Sequence, residues 1–183
     1  MKPNPGIEAR YDRIQKPFNF QGWIEEHRHL LKPPVGNKVV FRDSNFIVMV
    51  VGGPNERTDF HINQTDEFFY QLEGNIFLKT INAKGKFEDI HIKEGEIFML
   101  PAGVPHSPQR SEGSVGLVVE KSRVPEDTDG LQWYCKECNT KLYEEFFYLE
   151  DIEKQFGGAY ERYFGGNHNH CKRCGCENGR TWQ

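Results

Sequence analysis

The chain has 183 residues, 37% of them apolar and 13% aromatic, which suits one folded domain with an appendage rather than a disordered chain. Lys and Arg number 23 against 27 Asp and Glu, and the net charge of −4 excludes the basic stripe of a nucleic-acid-binding protein. No apolar run approaches the roughly 18 residues that cross a bilayer, and the polar start of the chain lacks the apolar stretch of a signal peptide, so the expected protein has no membrane partner and resides in the cytoplasm.

Residues 1–16 read as a polar arm. Asn19 then precedes Phe20, Trp23, Ile24, His27 and Leu31 at helical spacing, with Asn19 as the N-cap. The helix is expected to end before Lys32-Pro33-Pro34, because the residue before a proline avoids the helical region, and residues 33–37 follow as a loop. From 39 to 121 the pattern is β, in runs 39–42, 46–51, 57–61, 67–72, 75–81, 87–92, 96–100 and 115–121, separated by Gly-, Asn- and Pro-containing turns. Short strands at this spacing predict an antiparallel sandwich or barrel. Residues 122–134 read as a linker. Beyond it lie a strand over 141–149, a helix over 151–156 and an irregular stretch over 157–170. Three units result: an arm, helix and lid loop (1–37), a β barrel (38–121), and a linker with a cysteine-rich tail (122–183).

All five cysteines fall in the last fifty residues. A cytosolic setting argues against disulfides. Cys135-x-x-Cys138 and Cys171-x-x-Cys174, 32 residues apart, can give four thiolates to one tetrahedral Fe or Zn ion in a closed, structural site. Cys176 is left as a free thiol or a substitute for Cys174, and His168 and His170 are alternative ligands.

The barrel carries a second constellation. His61, Asn63 and Glu67 are followed by Gly74, and Gly95, Pro101 and Gly103 by His106. Two imidazoles and a carboxylate with open positions suit non-haem Fe(II). Arg57 shares strand parity with His61, and Arg110 with His106. Each arginine lies four residues from its histidine, roughly 13 Å along an extended strand. That distance suits a side chain reaching for a bound molecule, with Glu120 or a substrate carboxylate as the partner. His27, His29 and His91 are read as ordinary helix or surface residues.

The two glycine-containing segments resemble the signature motifs of the cupin superfamily. The implied fold is all-β, a double-stranded β-helix or jelly-roll barrel, here with an N-terminal helix. Asn63 departs from the usual His-x-His and removes a fourth ligand. More of the chain is similar to the bacterial-type 3-hydroxyanthranilate 3,4-dioxygenase family. The matching stretches are Phe18-Asn19-Phe20 with Trp23, residues 31–37, Val51-Gly52-Gly53-Pro54-Asn55 with Arg57-Thr58-Asp59, Glu67-Phe68-Phe69-Tyr70-Gln71, His106-Ser107-Pro108-Gln109-Arg110, and Trp133-Tyr134-Cys135 with a rubredoxin-like cysteine tail. That resemblance implies a homodimeric enzyme with catalytic Fe(II) on His61, Glu67 and His106. It implies a small aromatic amino-hydroxy acid and O2 as substrates. Arg57 and Asn37 would hold the substrate carboxylate, Glu120 would act as general base, and Arg110 would orient Glu120 and stabilise negative charge on oxygen. Another cupin metalloenzyme and a ligand-sensing cupin are the competing readings.

Overall fold

The computed structural model describes residues 15–32, 36–41, 44–55, 57–149 and 155–180. Helix α1 (Phe20–His27) starts where Asn19 Oδ1 accepts the Gly22 N–H at 2.7 Å, and a 3₁₀ turn (Arg28–Leu30) ends it ahead of Pro33. The strands are β1 (Asn37–Phe41), β2 (Phe46–Gly52), β3 (Asp59–Ile62), β4 (Glu67–Glu73), β5 (Ile76–Ile81), β6 (Phe87–Ile92), β7 (Ile97–Leu100), β8 (His106–Arg110), β9 (Val115–Lys121), β10 (Asp129–Tyr134) and β11 (Lys141–Phe147). Helix α2 (Gln155–Gly165) follows.

The strands form two antiparallel sheets, ordered β1-β2-β9-β4-β7 and β11-β10-β3-β8-β5-β6. Period-two alternation turns Glu67, Phe69 and Gln71 of β4 inward. Met49, Phe69, Leu78, Ile92, Leu100 and Val118 fill one part of the space between the sheets. The polar inward residues cluster beside them: β3 sets His61 opposite His106 of β8, and β4 sets Glu67 opposite Glu120 of β9. All three motif glycines turn the chain with positive φ, Gly74 at 67°, Gly95 at 83° and Gly103 at 76°, a region where a side chain is strained. Outside the first sheet, Ile24 and Leu31 pack with Val50 and Val115.

Three sequence expectations need correction. Residues 122–134 are not simply a linker, because they contain β10, which pairs with β3 on one side and β11 on the other. Five of its six residues are buried, so the apolar-polar alternation that identifies a half-exposed strand is missing. The stretch 157–170 is not irregular throughout. Helix α2 runs through Gly157 and Gly158 because Ala159 and Tyr163 bury against Leu131 and Trp133, and this packing outweighs the weak helix propensity of glycine. Strand β8 escaped the strand reading because it contains Pro108. It meets β3 only through the His61–His106 pair, so the absent proline N–H interrupts no β3 ladder. Residues 151–154, the start of the predicted tail helix, and most of the N-terminal arm lie outside the described residues.

Candidate active site

His61, Glu67 and His106 are buried, and their ligand atoms all lie within 4.8 Å of one another. Each imidazole is oriented from behind. His61 Nε2 lies 2.6 Å from Asp129 Oδ2, an acceptor, so in the neutral ring this nitrogen carries the proton. Nδ1 therefore presents its lone pair 3.6 Å from Glu67 Oε1. His106 is the mirror case: Nδ1 donates to the Val104 carbonyl at 3.1 Å and Nε2 faces Glu67 Oε2 at 3.3 Å. Two lone pairs and a carboxylate aimed at one point, with the opposite ring nitrogens tied to acceptors, is the donor chemistry of a divalent transition metal. The residues therefore fit the ion that the sequence implied.

The electrostatics agree. Burial would raise the Glu67 carboxyl, but His106, His61 and the Asn63 amide hold it at about 2. Burial lowers His61 against the pull of Asp129 and Glu67, whereas Glu67 overcomes burial and raises His106.

Asn63 does more than vacate a ligand position. Its Nδ2 donates to Glu67 Oε1 at 3.1 Å and to Glu120 Oε2 at 2.7 Å, bridging the two carboxylates. Burial and the charge of Glu67 push Glu120 up to about 7, against the pull of Arg123. Arg123 is the cation paired with Glu120, with Nη1 2.6 Å from Oε1. This corrects the expectation that Arg110 orients Glu120. Arg123 also donates through Nε and Nη2 to Asp129, at 3.0 and 2.6 Å. A continuous chain thus joins Glu120 to Arg123, Asp129 and His61. Arg123 and Asp129 were missed because both lie in the stretch read as a linker, and neither belongs to a motif.

Arg57 and Arg110 both line the same cavity of about 380 Å³, together with Asn37, the three candidate ligands and Glu120. They differ in their partners. Arg57 pairs with buried Asp59 through Nε at 3.1 Å and through Nη2. Arg110 is buried, and its Nε and Nη1 have no hydrogen-bond partner among the described residues. Burial and the nearby Arg57 lower it to about 10. Asn37 Oδ1 is likewise buried, with no hydrogen-bond partner among the described residues. Residues 33–35 of the expected lid loop lie outside the described residues. Helix α2 closes one side of the cavity, with Phe156 edge-on to His61 at 5.2 Å between ring centroids.

The four cysteines converge as their spacing predicted. Cys135 and Cys174 sulfurs lie 3.5 Å apart, and Cys138 and Cys171 sulfurs 3.6 Å. The two knuckles close alike: Asn139 N–H reaches the Cys135 carbonyl and Gly175 N–H that of Cys171, both at 2.9 Å and both with positive φ. Hydrogen bonds from Thr140 hold the Cys138 thiol down at about 6. Cys176, His168 and His170 lie outside the cluster; His168 stacks on Tyr143 and His170 faces Glu177.

Two imidazoles and a carboxylate inside a two-sheet jelly roll define the class as a cupin-type barrel with a candidate mononuclear metal centre. A solved cupin-2 domain containing protein from Shewanella frigidimarina is similar over 54% of this chain and 92% of its own, at 20% identity and a TM-score of 0.45. The family profile of 3-hydroxyanthranilic acid dioxygenase matches residues 13–164. The 3-hydroxyanthranilate 3,4-dioxygenase of Xanthomonas euvesicatoria pv. vesicatoria is 54% identical over 160 residues, covering 87% of this chain and 90% of that protein. The one of Bacillus thuringiensis is 46% identical over 159 residues, covering 86% and 89%. The chain belongs to the 3-hydroxyanthranilic acid dioxygenase family.

Proposed function

We propose that the chain is an Fe(II)-dependent ring-cleaving dioxygenase that converts 3-hydroxyanthranilate and O2 to 2-amino-3-carboxymuconate semialdehyde, the precursor of quinolinate in the kynurenine pathway. The observation that carries this reading is the juxtaposition, in a member of this family, of a converging two-histidine, one-carboxylate donor set with buried Arg110, whose Nε and Nη1 lack a hydrogen-bond partner among the described residues. His61, Glu67 and His106 would hold the iron. When bound, iron offers the substrate's adjacent hydroxyl and amino groups and O2 a common meeting point and an electron path between them.

The chain's own residues do the rest. Arg57 and Asn37 bind and orient the substrate carboxylate. Glu120, whose proton is held up to about 7 in the metal-free site, would take the hydroxyl proton as general base once metal is bound. Asn63 and Arg123 hold Glu120 in position for that transfer. Arg110 supplies Nε and Nη1 to negative charge that develops on substrate oxygen. Phe156 and Tyr160 of α2 cover one side of the cavity and help exclude water.

The four-cysteine site would hold a second iron or a zinc ion as a structural clamp. Tyr70, Ile97 and Met99 lie exposed on the outer face of the first sheet, with Tyr70 opposite Ile97 in register, and would form the contact of a homodimer. No described helix is long and apolar enough to cross a membrane, and the proposed compartment is the cytoplasm.

The test is to load purified protein with Fe(II) without oxygen, add 3-hydroxyanthranilate, admit O2 and identify the product by mass. A gain of two oxygen atoms followed by conversion to quinolinate supports the reading. No turnover at full iron occupancy refutes it.

A further inference from the structure

Arg57 stands outside a strand. It lies between the Gly53-Pro54-Asn55 turn and the first residue of β3, and its carbonyl is tied to Gln109 Nε2 at 3.0 Å. The direction of its guanidinium therefore depends on what the side chain touches. Among the described residues three groups hold it: Asp59, the Phe156 ring, 5.4 Å from the guanidinium carbon, and the hydroxyl of Tyr160. Asp59 is itself fully buried and receives a second donor on the oxygen that faces Arg57 Nε, the hydroxyl of Tyr160. Phe156 and Tyr160 are four residues apart and share one face of α2.

That helix is anchored elsewhere. Tyr163 stacks on Trp133 at 4.6 Å, Trp133 packs edge-on to Tyr160 at 5.4 Å, and Cys135 and Cys171 flank β10 and α2 in the four-cysteine cluster. The tail is thus not a remote appendage. One face of its helix reaches into the cavity and touches the ion pair that fixes Arg57.

We propose that Tyr160 is a positioning residue for substrate binding, acting on Arg57 both directly and through Asp59, so that the cysteine-clamped tail sets substrate affinity. The physical reason has two parts. A buried carboxylate pinned from two sides has one orientation, and so does the guanidinium bound to it. A hydroxyl donating into Asp59 also satisfies part of that carboxylate's charge, which leaves more of the Arg57 charge for a ligand carboxylate. Asp59 takes the Nε and one Nη2 donor of the five guanidinium N–H groups, which leaves Nη1 as the end that can turn to a ligand.

The inference rests on the proposed substrate for its kinetic arm and not for its structural arm. In the iron-loaded enzyme, Tyr160→Phe is expected to raise KM for 3-hydroxyanthranilate about tenfold with kcat within about twofold, since ground-state anchoring is lost and the chemistry is untouched. In an Arg57→Ala background the same substitution is expected to change KM by less than about twofold, because its path of action is gone. Additive effects, or a fall in kcat with KM unchanged, overturn the proposal.

The structural arm needs no substrate. In protein carrying Zn²⁺ in place of iron, the Arg57 Nε–H signal, identified by its loss in Arg57→Lys, is expected to exchange with solvent at least about tenfold faster in Tyr160→Phe. Unchanged exchange overturns the proposal even if the enzyme turns over. Faster exchange in a protein that does not turn over 3-hydroxyanthranilate leaves the positioning role standing and refutes the substrate.

Discussion

Asp129→Asn separates orientation of the metal ligand from the charge around it. Asp129 Oδ2 receives both His61 Nε2 and Arg123 Nη2, each at 2.6 Å, and Oδ1 receives Arg123 Nε at 3.0 Å. Asparagine keeps the shape but has one oxygen and one NH2. With NH2 toward Arg123 Nε, two donors meet. With NH2 toward His61, the imidazole is favoured with its lone pair on Nε2 and its proton on Nδ1, the atom that faces Glu67. Either arrangement weakens the site, and the second removes the metal-facing lone pair. Losing such an outer partner costs about 10- to 100-fold in metal affinity. Arg123 keeps Glu120 at 2.6 Å, so it is not left as an orphaned charge. The fold should therefore lose about 1.5–3 kcal/mol, the value of hydrogen bonds to a charged group, rather than the 3–5 kcal/mol of a broken buried pair. Fe(II) affinity measured against a competing chelator, with thermal unfolding of the metal-free protein, reads both quantities. Iron bound as tightly as by wild type would refute the orienting role of Asp129.

Arg57→Ala is expected to raise KM by roughly one to two orders of magnitude, as loss of charge-assisted bonds to a carboxylate does; steady-state kinetics with unchanged KM would remove it as the anchor. His61→Ala or Glu67→Ala should abolish stoichiometric iron in the barrel, read by metal analysis. The pH dependence of Glu120 has a definite sign. Its folded value of about 7 lies above the ordinary 4.5, so the folded state holds the proton more tightly. The stability this contributes is complete at low pH and is lost as pH rises from about 4.5 to about 7, on the order of 3 kcal/mol over that window. In the metal-free protein, Glu120→Gln should remove that slope from denaturant titrations run across the same range. Cys135→Ser should melt the tail at lower temperature while iron still loads into the barrel. A folded variant with iron in the barrel and no activity at any substrate concentration would contradict an action through Arg57 alone.

The barrel and the convergence of the candidate ligands His61, Glu67 and His106 were legible because each rests on a local signal. Strand alternation gave β4 its inward Glu67, and fixed spacings around glycines that must turn the chain marked His61 and His106. The arginines were legible from parity. What escaped was non-local. Strand β10 is buried on both faces, so its sequence does not alternate, and with it went Asp129, whose role exists only because β10 pairs with β3. Arg123 was taken for linker charge, and Arg110 was credited with the work Arg123 does, because parity fixes a face but not a partner. Helix α2 reads as a glycine-rich loop until Trp133 and Leu131 supply a surface for it. Asn63 read as a missing ligand, whereas its bridge between Glu67 and Glu120 requires two strands in register.

The charges in the cavity wall and behind it form a set that is incomplete in a specific way. Arg57, Arg110 and Arg123 stand against Asp59, Glu67, Glu120 and Asp129, three cations with four carboxylates. Buried charge is tolerated where it is balanced, and with its proton held up to about 7 Glu120 brings this set to neutrality. His61, Glu67 and His106 would hold a divalent ion, whose two positive charges beside Glu120 would favour its ionised form and so ready it as a base only with metal in place. The site would then carry one net positive charge, and Arg110 has buried Nε and Nη1 donors without a hydrogen-bond partner among the described residues. A ligand bearing one carboxylate restores neutrality; a neutral aminophenol does not. The same buried arginines that would be a cost in an empty barrel would therefore favour a ligand that carries a carboxylate, and would do so only with a metal in place.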